Sequence, residues 1–202
     1  MKLILRKTFA IKFWHLYSLW LVAGILTGCQ SAAPPLAGQG AGAGAVGEQS
    51  TRDNCYSLLH QLLADEKNVD LLRFIKREES DVKKLVKRIA ARSAAGLKLL
   101  EEQAELDPAI RINDISLPPG EVATRKAIAS TQKKRLLGQS GDQFELSLLL
   151  SQAQALGYAS HLAKVAAETD SRPERVRALN ELRADLDNLY QELFDLLLSR
   201  MK

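Results

Sequence analysis

The sequence predicts an all-α protein, an antiparallel helical bundle with long, heptad-patterned helices after a flexible N-terminal tether. Three observations support this prediction. From Arg52 onward there is no alternation of apolar and polar residues of the kind that marks β-strands. Apolar residues recur instead at spacings of three and four, the rhythm of helices that pack along a seam. Pro and Gly separate the periodic segments, as expected of the connections in a bundle.

The first 28 residues are predicted to be a signal peptide. Residues 1–12 carry four basic side chains and no acidic one, and a mostly apolar run follows at 13–26. A basic segment, a short apolar run and small residues at its end are typical of secretory signals. A membrane-spanning helix needs about 20 apolar residues, so a permanent span is the less favoured interpretation.

The sequence Leu26-Thr27-Gly28-Cys29 resembles the lipobox of bacterial lipoproteins, which has a branched apolar residue, two small residues and a cysteine. The resemblance implies that the Cys29 thiol receives a diacylglyceryl group and that the signal is cleaved before it. It also implies acylation of the new amine. The alternative is an ordinary signal peptide or an anchor with an incidental cysteine.

The lipobox resemblance also implies a location. Stable anchoring takes at least two acyl chains, which Cys29 would carry. In the enterobacterial pattern an Asp after the cysteine retains a lipoprotein in the inner membrane, whereas Gln30 stands at that place here. We therefore expect lipid anchoring at the periplasmic face of the outer membrane.

The excess positive charge belongs entirely to the signal. The chain has 28 basic and 24 acidic residues, and four of the basic ones lie in residues 1–28. Cleavage would leave 24 of each, so the net formal side-chain charge of the mature chain is zero. We therefore predict no nucleic-acid partner.

Residues 29–51 are predicted to be the lipidated cysteine and a tether, because Ala, Gly, Pro and Gln dominate them. A Gly-rich coil of this length spans roughly 25 Å. The helical domain is predicted to occupy residues 52–202.

Two helices are predicted in the first half of this domain. The first runs near 52–66, and the second runs near 68–106, where Asp107-Pro108 ends it. The seam of the second helix steps by three and four through Leu72, Ile75, Glu79, Val82, Val86, Ile89, Ser93, Gly96 and Leu100.

Three more helices are predicted near 119–137, 142–168 and from Pro173 to the C-terminus, with Asp142 and Ser171 as caps. The fourth is expected to be central to the core, because additional apolar residues widen its seam: Leu146, Leu149, Leu150, Ala153 and Leu156. The seam of the last consists of Leu179, Leu182, Leu186, Leu189, Leu193 and Leu196.

The predicted helical domain contains one cysteine, Cys55. Lipid would consume Cys29, which leaves Cys55 unpaired in an oxidising compartment. It is either a candidate thiol for an intermolecular disulfide or a buried, inert side chain on the first helix.

A metal or cofactor site is not predicted. Di-metal bundles use Glu-x-x-His pairs, but Ser57 and Tyr158 stand three residues before His60 and His161. The helix order and the segment LLGQSGDQFELSLLLSQAQALGYASHLAKVAAE resemble ferritin-like bundles of bacterial envelope proteins, over about residues 120–200. The resemblance implies His and Glu ligands in the members that bind metal. Here the region offers Gln152, Gln154 and His161 instead.

No enzymatic activity is predicted either. Ser147, Ser151 and Ser160 lie within a helix, without a Gly-x-Ser-x-Gly elbow. The paired acids Glu78-Glu79 and Glu101-Glu102 are adjacent in sequence, so their side chains point in different directions on a helix.

Two basic runs remain. Residues 73–92 contain eight basic and three acidic residues, and a second cluster comprises Arg125, Lys126, Lys133, Lys134 and Arg135. Glu101, Glu102, Glu105 and Asp107 are available to oppose them. The runs either form a basic binding surface or are exposed helix faces paired at i, i+4 and across the bundle, the interpretation we favour.

The leading hypothesis is a non-enzymatic, lipid-anchored helical bundle that binds another envelope protein. One alternative is a ferritin-like domain that senses a ligand or metal. Another is self-association along the heptad seams, reinforced by Cys55. The expected partners are thus the membrane, through acyl chains on Cys29, and an envelope protein or a second copy.

Overall fold

The computed structural model describes residues 41–69 and 80–200, with side chains in 50–69 and 81–200. Five helices make up nearly all of this part of the chain, and it contains no strand, which confirms the all-α prediction. The helices are α1 (Ala41–Glu66), α2 (Ser80–Leu106), α3 (Pro119–Gly138), α4 (Gly141–Thr169) and α5 (Pro173–Arg200).

Four of the helices form a bundle in which each helix is antiparallel to its two neighbours. Helix α1 packs on α2 and α4, and α5 packs on the same two helices from the other side. The directions follow from side-chain contacts near the helix ends: Tyr56 with Gln103 and Asp170, Asp107 with Arg175, and Arg200 with Asp81 and Glu145. Because α2 and α4 run in the same direction, the chain between them must travel the length of the bundle.

That return path contains the peripheral helix α3. Residues 107–118 first cross over α1, where the Ser57 hydroxyl donates a hydrogen bond to the Arg111 carbonyl at 2.7 Å. Helix α3 then lies mainly against α4 and buries only one of its described side chains, Leu136. Most side chains of α3 are therefore wholly or partly exposed to solvent.

The observed helix ends agree closely with the predicted ones for α3, α4 and α5, but α1 differs. It begins at Ala41, well before the predicted start at Arg52, so residues 41–51 of the predicted tether are helical. Alternating Ala residues, the best helix formers, compensate for the Gly residues between them. The rest of the predicted tether, 29–40, lies outside the described residues.

The predicted start of the second helix falls partly outside the description as well. Residues 67–69 form a turn after α1, and the described part of α2 begins at Ser80. For α4, the N-cap is Ser140 and not the predicted Asp142, which lies in the first turn. The preceding chain enters through Gly141 at φ 58°, a left-handed conformation that glycine adopts readily.

Where the structure describes them, the heptad seams of α2 and α5 form the core as predicted, apart from the last residue on α5. Leu72, Ile75 and Glu79 of the α2 seam lie outside the described residues. Leu179, Leu182, Leu186, Leu189 and Leu193 are buried, but Leu197 replaces the predicted Leu196. A straight helix drifts by about 20° per heptad, so five turns after Leu179 the next position, Leu197, faces the core. On α2, Gly96 allows close approach, since an added Cβ would lie 2.9 Å from the Leu182 Cδ1.

Candidate docking surface

The predicted lipobox, Leu26, Thr27, Gly28 and Cys29, lies outside the described residues. The other predicted thiol, Cys55, is on α1 and only 8% exposed. Burial raises the pKa of this thiol, which disfavours the reactive thiolate. This environment favours the buried, inert interpretation of Cys55 over an intermolecular disulfide.

The two histidines of the helical domain are far from forming a shared site. His60 on α1 faces Glu101 on α2, with Nε2 and Oε1 3.4 Å apart. His161 is exposed on α4, where its Nδ1 lies 2.7 Å from the Gly157 carbonyl of the preceding turn. Within the described ranges, no three His, Cys, Asp or Glu side chains cluster as metal ligands would.

Two of the three serines and the pair Glu101-Glu102 have structural partners, whereas Glu78-Glu79 lies outside the described residues. The Ser151 hydroxyl donates to the Leu148 carbonyl one turn earlier, and Ser160 donates to Asp187 of α5. Glu101 faces His60, whereas Glu102 pairs with Lys98. The adjacent acids therefore point to different neighbours, as the helical geometry requires.

An ionic clamp, defined here as Asp107, Asp170, Arg175 and Tyr56, joins four segments at one end of the bundle. The Arg175 guanidinium donates from Nε and Nη2 to the two oxygens of Asp170, at 2.8 and 2.6 Å, and from Nη1 to Asp107 at 2.7 Å. Tyr56 of α1 donates to Asp170 at 2.9 Å. The clamp thus connects the middle of α1 and the ends of α2 and α4 with the start of α5.

The clamp stabilises its charged groups. Burial alone would raise the pKa of Asp170, but hydrogen bonds from Arg175, the Arg172 amide and Tyr56 outweigh it and hold that pKa below its ordinary value. The same hydrogen bond with Asp170 raises the pKa of Arg175. A depression of about 220 Å³ lies beside the clamp, lined by Gln103, Leu106, Asp107, Arg172, Glu174 and Arg175. Since Arg175 already donates to two carboxylates, the clamp is a structural joint.

A second buried polar pair lies in the bundle interior. Glu66, the last residue of α1, is 4% exposed, and Gln152 of α4 is fully buried beside it. Burial raises the pKa of Glu66 to about 8, against a smaller lowering by the neighbouring Gln152 amide. The carboxyl group is therefore protonated at neutral pH, the form that costs least to bury. No sequence pattern predicts this buried carboxyl group, because only the position of α4 buries it.

Large apolar side chains remain exposed along the outer groove between α4 and α5. We call Leu146, Leu150, Phe194 and Leu198 the apolar strip; each is 42–49% exposed. Tyr190 stacks on Phe194 with ring centroids 6.3 Å apart, and a Cβ on Gly157 would lie 3.7 Å from the Tyr190 ring. These two contacts place the strip in the groove where the helices meet.

The strip corrects part of the prediction for α4. Leu149 and Leu156 are buried, as expected of a central helix, but Leu146 and Leu150 face outward. They lie about 60–100° around the helix from Leu149, outside the part of the α4 surface that α1 and α5 cover. Contiguous exposed apolar residues are typical of interaction sites, so this surface is the candidate docking surface.

None of the helices in the described ranges is both long and apolar enough to span a membrane. No family model matches the sequence, and neither do any of the curated proteins or solved structures compared with it.

Proposed function

We propose that the protein is a lipid-anchored envelope protein whose helical bundle binds another envelope protein. The apolar strip supports the binding part of this proposal. The resemblance of Leu26-Thr27-Gly28-Cys29 to a lipobox supports the anchor. In this arrangement the lipid holds the chain at the membrane, and the bundle acts as an accessory module with no chemistry of its own.

The shape and composition of the strip fit a partner helix. From Leu146 to Gly157 the groove extends over three turns of α4, or about 16 Å. A small residue, Ala153, lies between these ends and leaves room for a second backbone to approach. Leucines and Phe194 at the other end supply anchors of the kind that an amphipathic helix uses in a groove.

The anchor and the strip are tested together in cells that express the full chain. Cys29→Ala should release the protein from the membrane fraction, because the acyl chains have no other thiol in the lipobox. Cys55→Ala is the matched control and should remain membrane-bound. A membrane-bound Cys29→Ala protein would contradict the lipid anchor.

The binding arm uses a photo-crosslinking residue at position 150 or 194, with the exposed position 181 on another side of α5 as the control. We expect one cross-linked species of constant mass from the strip positions and none from position 181. Leu150→Asp combined with Phe194→Asp should abolish it, because charges oppose burial of the strip. Equal cross-linking at all three positions would overturn the assignment of the strip.

A further inference from the structure

Some basic side chains of the bundle form ion pairs, and others do not. Arginines form ion pairs across helices: Arg88 with Glu192, Arg92 with Asp185, and Arg175 with Asp107 and Asp170. Within the described ranges, the basic residues of two other segments have no ion pair, namely Lys83, Lys84 and Lys87 of α2 and Lys133, Lys134 and Arg135 of α3. The expected neutralisation therefore holds for the arginines of α2 but not for these six residues.

Six of the nine cations that have no ion pair in the described ranges lie at one end of the bundle, which we call the basic end. Lys83, Lys84 and Lys87 lie in the first turns of α2, which the contact between Asp81 and Arg200 places beside the end of α5. The other three lie in the last two turns of α3, which only Gln139 and Ser140 separate from the start of α4. Since Glu145 of that start also contacts Arg200, both groups lie at the same end.

The acids expected to oppose these cations lie at the other end. Glu101, Glu102 and Glu105 occupy the last two turns of α2, near the ionic clamp. Residues 50–58, 98–118 and 164–178 at that end contain seven basic and nine acidic side chains, a formal charge of −2. Residues 81–88, 130–147 and 190–200 at the basic end contain eight basic and five acidic side chains, a formal charge of +3.

The start of α1 shows which end of the bundle is connected to the N-terminal segment. Because α1 is antiparallel to α2, Ala41 lies beyond the acidic end, and the preceding 40 residues join the bundle there. With 28 residues, α5 separates the two ends by about 40 Å. That distance is several Debye lengths at physiological salt, so a membrane at the acidic end would exert little force on the basic end.

We propose that the basic end binds an acidic protein segment located away from the membrane that anchors the chain. The orientation relative to the membrane rests on the proposed lipid anchor, whereas the binding itself does not. The six cations are spread over two helices and converge on no pocket, which fits an extended chain of carboxylates better than a small ligand. Five are lysines, which attract carboxylates as point charges without the bidentate geometry of arginine.

The test uses the full chain purified in detergent and fluorescein-labelled poly-L-glutamate as the probe. We expect binding at low salt that weakens as salt rises. Reversal of three charges, either Lys83→Glu, Lys84→Glu and Lys87→Glu or Lys133→Glu, Lys134→Glu and Arg135→Glu, should weaken it roughly tenfold. The matched control reverses the three other cations without an ion pair, Lys67→Glu, Lys126→Glu and Arg177→Glu, which changes the net charge equally at exposed positions elsewhere. Circular dichroism of each variant verifies folding.

Four results would overturn the proposal. Absence of poly-L-glutamate binding at low salt removes it directly, and equal losses in the control variant show that only net charge matters. Stronger capture by phosphatidylglycerol vesicles than by poly-L-glutamate assigns the basic end to a lipid surface. A salt-sensitive dimer in light scattering assigns it to the acidic end of a second copy. The fractionation of Cys29→Ala reports separately on the anchor, so failure of one proposal leaves the other intact.

Discussion

At the scale of single residues, Glu66 is the group that most conflicts with its surroundings. It closes α1 inside the bundle, and both polar atoms of the Gln152 amide beside it lack a hydrogen-bond partner among the described residues. Buried polar groups of this kind are costly unless they pair with each other. A slight rotation of the two side chains would let the protonated carboxyl group and the amide exchange two hydrogen bonds.

Glu66 makes stability depend on pH in a defined window. Burial raises its pKa from 4.5 to about 8, so between these values the unfolded chain releases a proton that the folded chain retains. The free energy of unfolding therefore falls as pH rises from about 4.5 to 8 and levels off above that. We expect Glu66→Gln to remove this dependence and to have a free energy of unfolding up to a few kcal/mol higher than that of the wild type at pH 8.

Urea unfolding of the full chain at several pH values measures this effect. Glu181→Gln, an exposed acid on α5, is the control and should follow the wild-type curve. The difference in the free energy of unfolding between Glu66→Gln and wild type should be larger at pH 8 than at pH 5. If it is the same at both pH values, the Glu66 carboxyl group is not protonated in the folded state.

At the scale of helices, the ionic clamp determines how four segments meet. Asp170 has no exposed side-chain surface, and Arg175 supplies its bidentate partner. Pairs of this kind contribute little compared with apolar packing, but loss of one partner leaves a buried charge without compensation. The clamp therefore acts mainly on the geometry of the helix ends.

Arg175→Met should destabilise the protein by about 3–5 kcal/mol at neutral pH, because the buried Asp170 carboxylate loses its counter-ion. The loss should shrink as pH falls through the ordinary range of Asp, since a protonated Asp170 no longer needs that counter-ion. Arg177→Met, which replaces an exposed cation two residues away, should change stability by no more than about 0.5 kcal/mol. Urea unfolding at pH 7 and pH 3 compares them, and equal curves at pH 7 would contradict the role of the clamp.

At the scale of the whole molecule, the bundle has unequal parts. The helices α4 and α5 share the longest seam and contribute most of the leucine core, whereas α3 buries one described side chain. A segment unfolds locally at a lower free energy when it has fewer buried contacts, so α3 should have the lowest local stability of the five helices.

Hydrogen exchange measured by mass spectrometry should therefore show α3 amides exchanging before those of α4 and α5. The physical reason is that α3 can open without exposing much of the core. The segment 122–135 is the best probe, and 179–193 of α5 is its internal reference. Protection of α3 equal to that of α5 would show that the return path is part of the cooperative core.

Much of the fold could be predicted from the sequence, for physical reasons visible in particular residues. The spacing of Leu179, Leu182 and Leu186 indicates one buried face, and Pro119 and Pro173 mark helix starts. The position of α1's start was missed, because Ala and Gly in residues 41–47 give opposite signals. The strip was missed because periodicity shows that Leu146 and Leu150 are apolar, not whether a neighbouring helix covers them.

By itself, the sequence determined the all-α class, the seams and most of the helix ends, since these depend on local spacing and on Pro and Gly. Tertiary structure decided which charges are neutralised, which leucines are covered and where Glu66 is buried. Each of these depends on which helices become neighbours and in which direction they run. That is why the lysines of α2 and α3 meet at one end of the bundle, about 40 Å from the acids expected to oppose them.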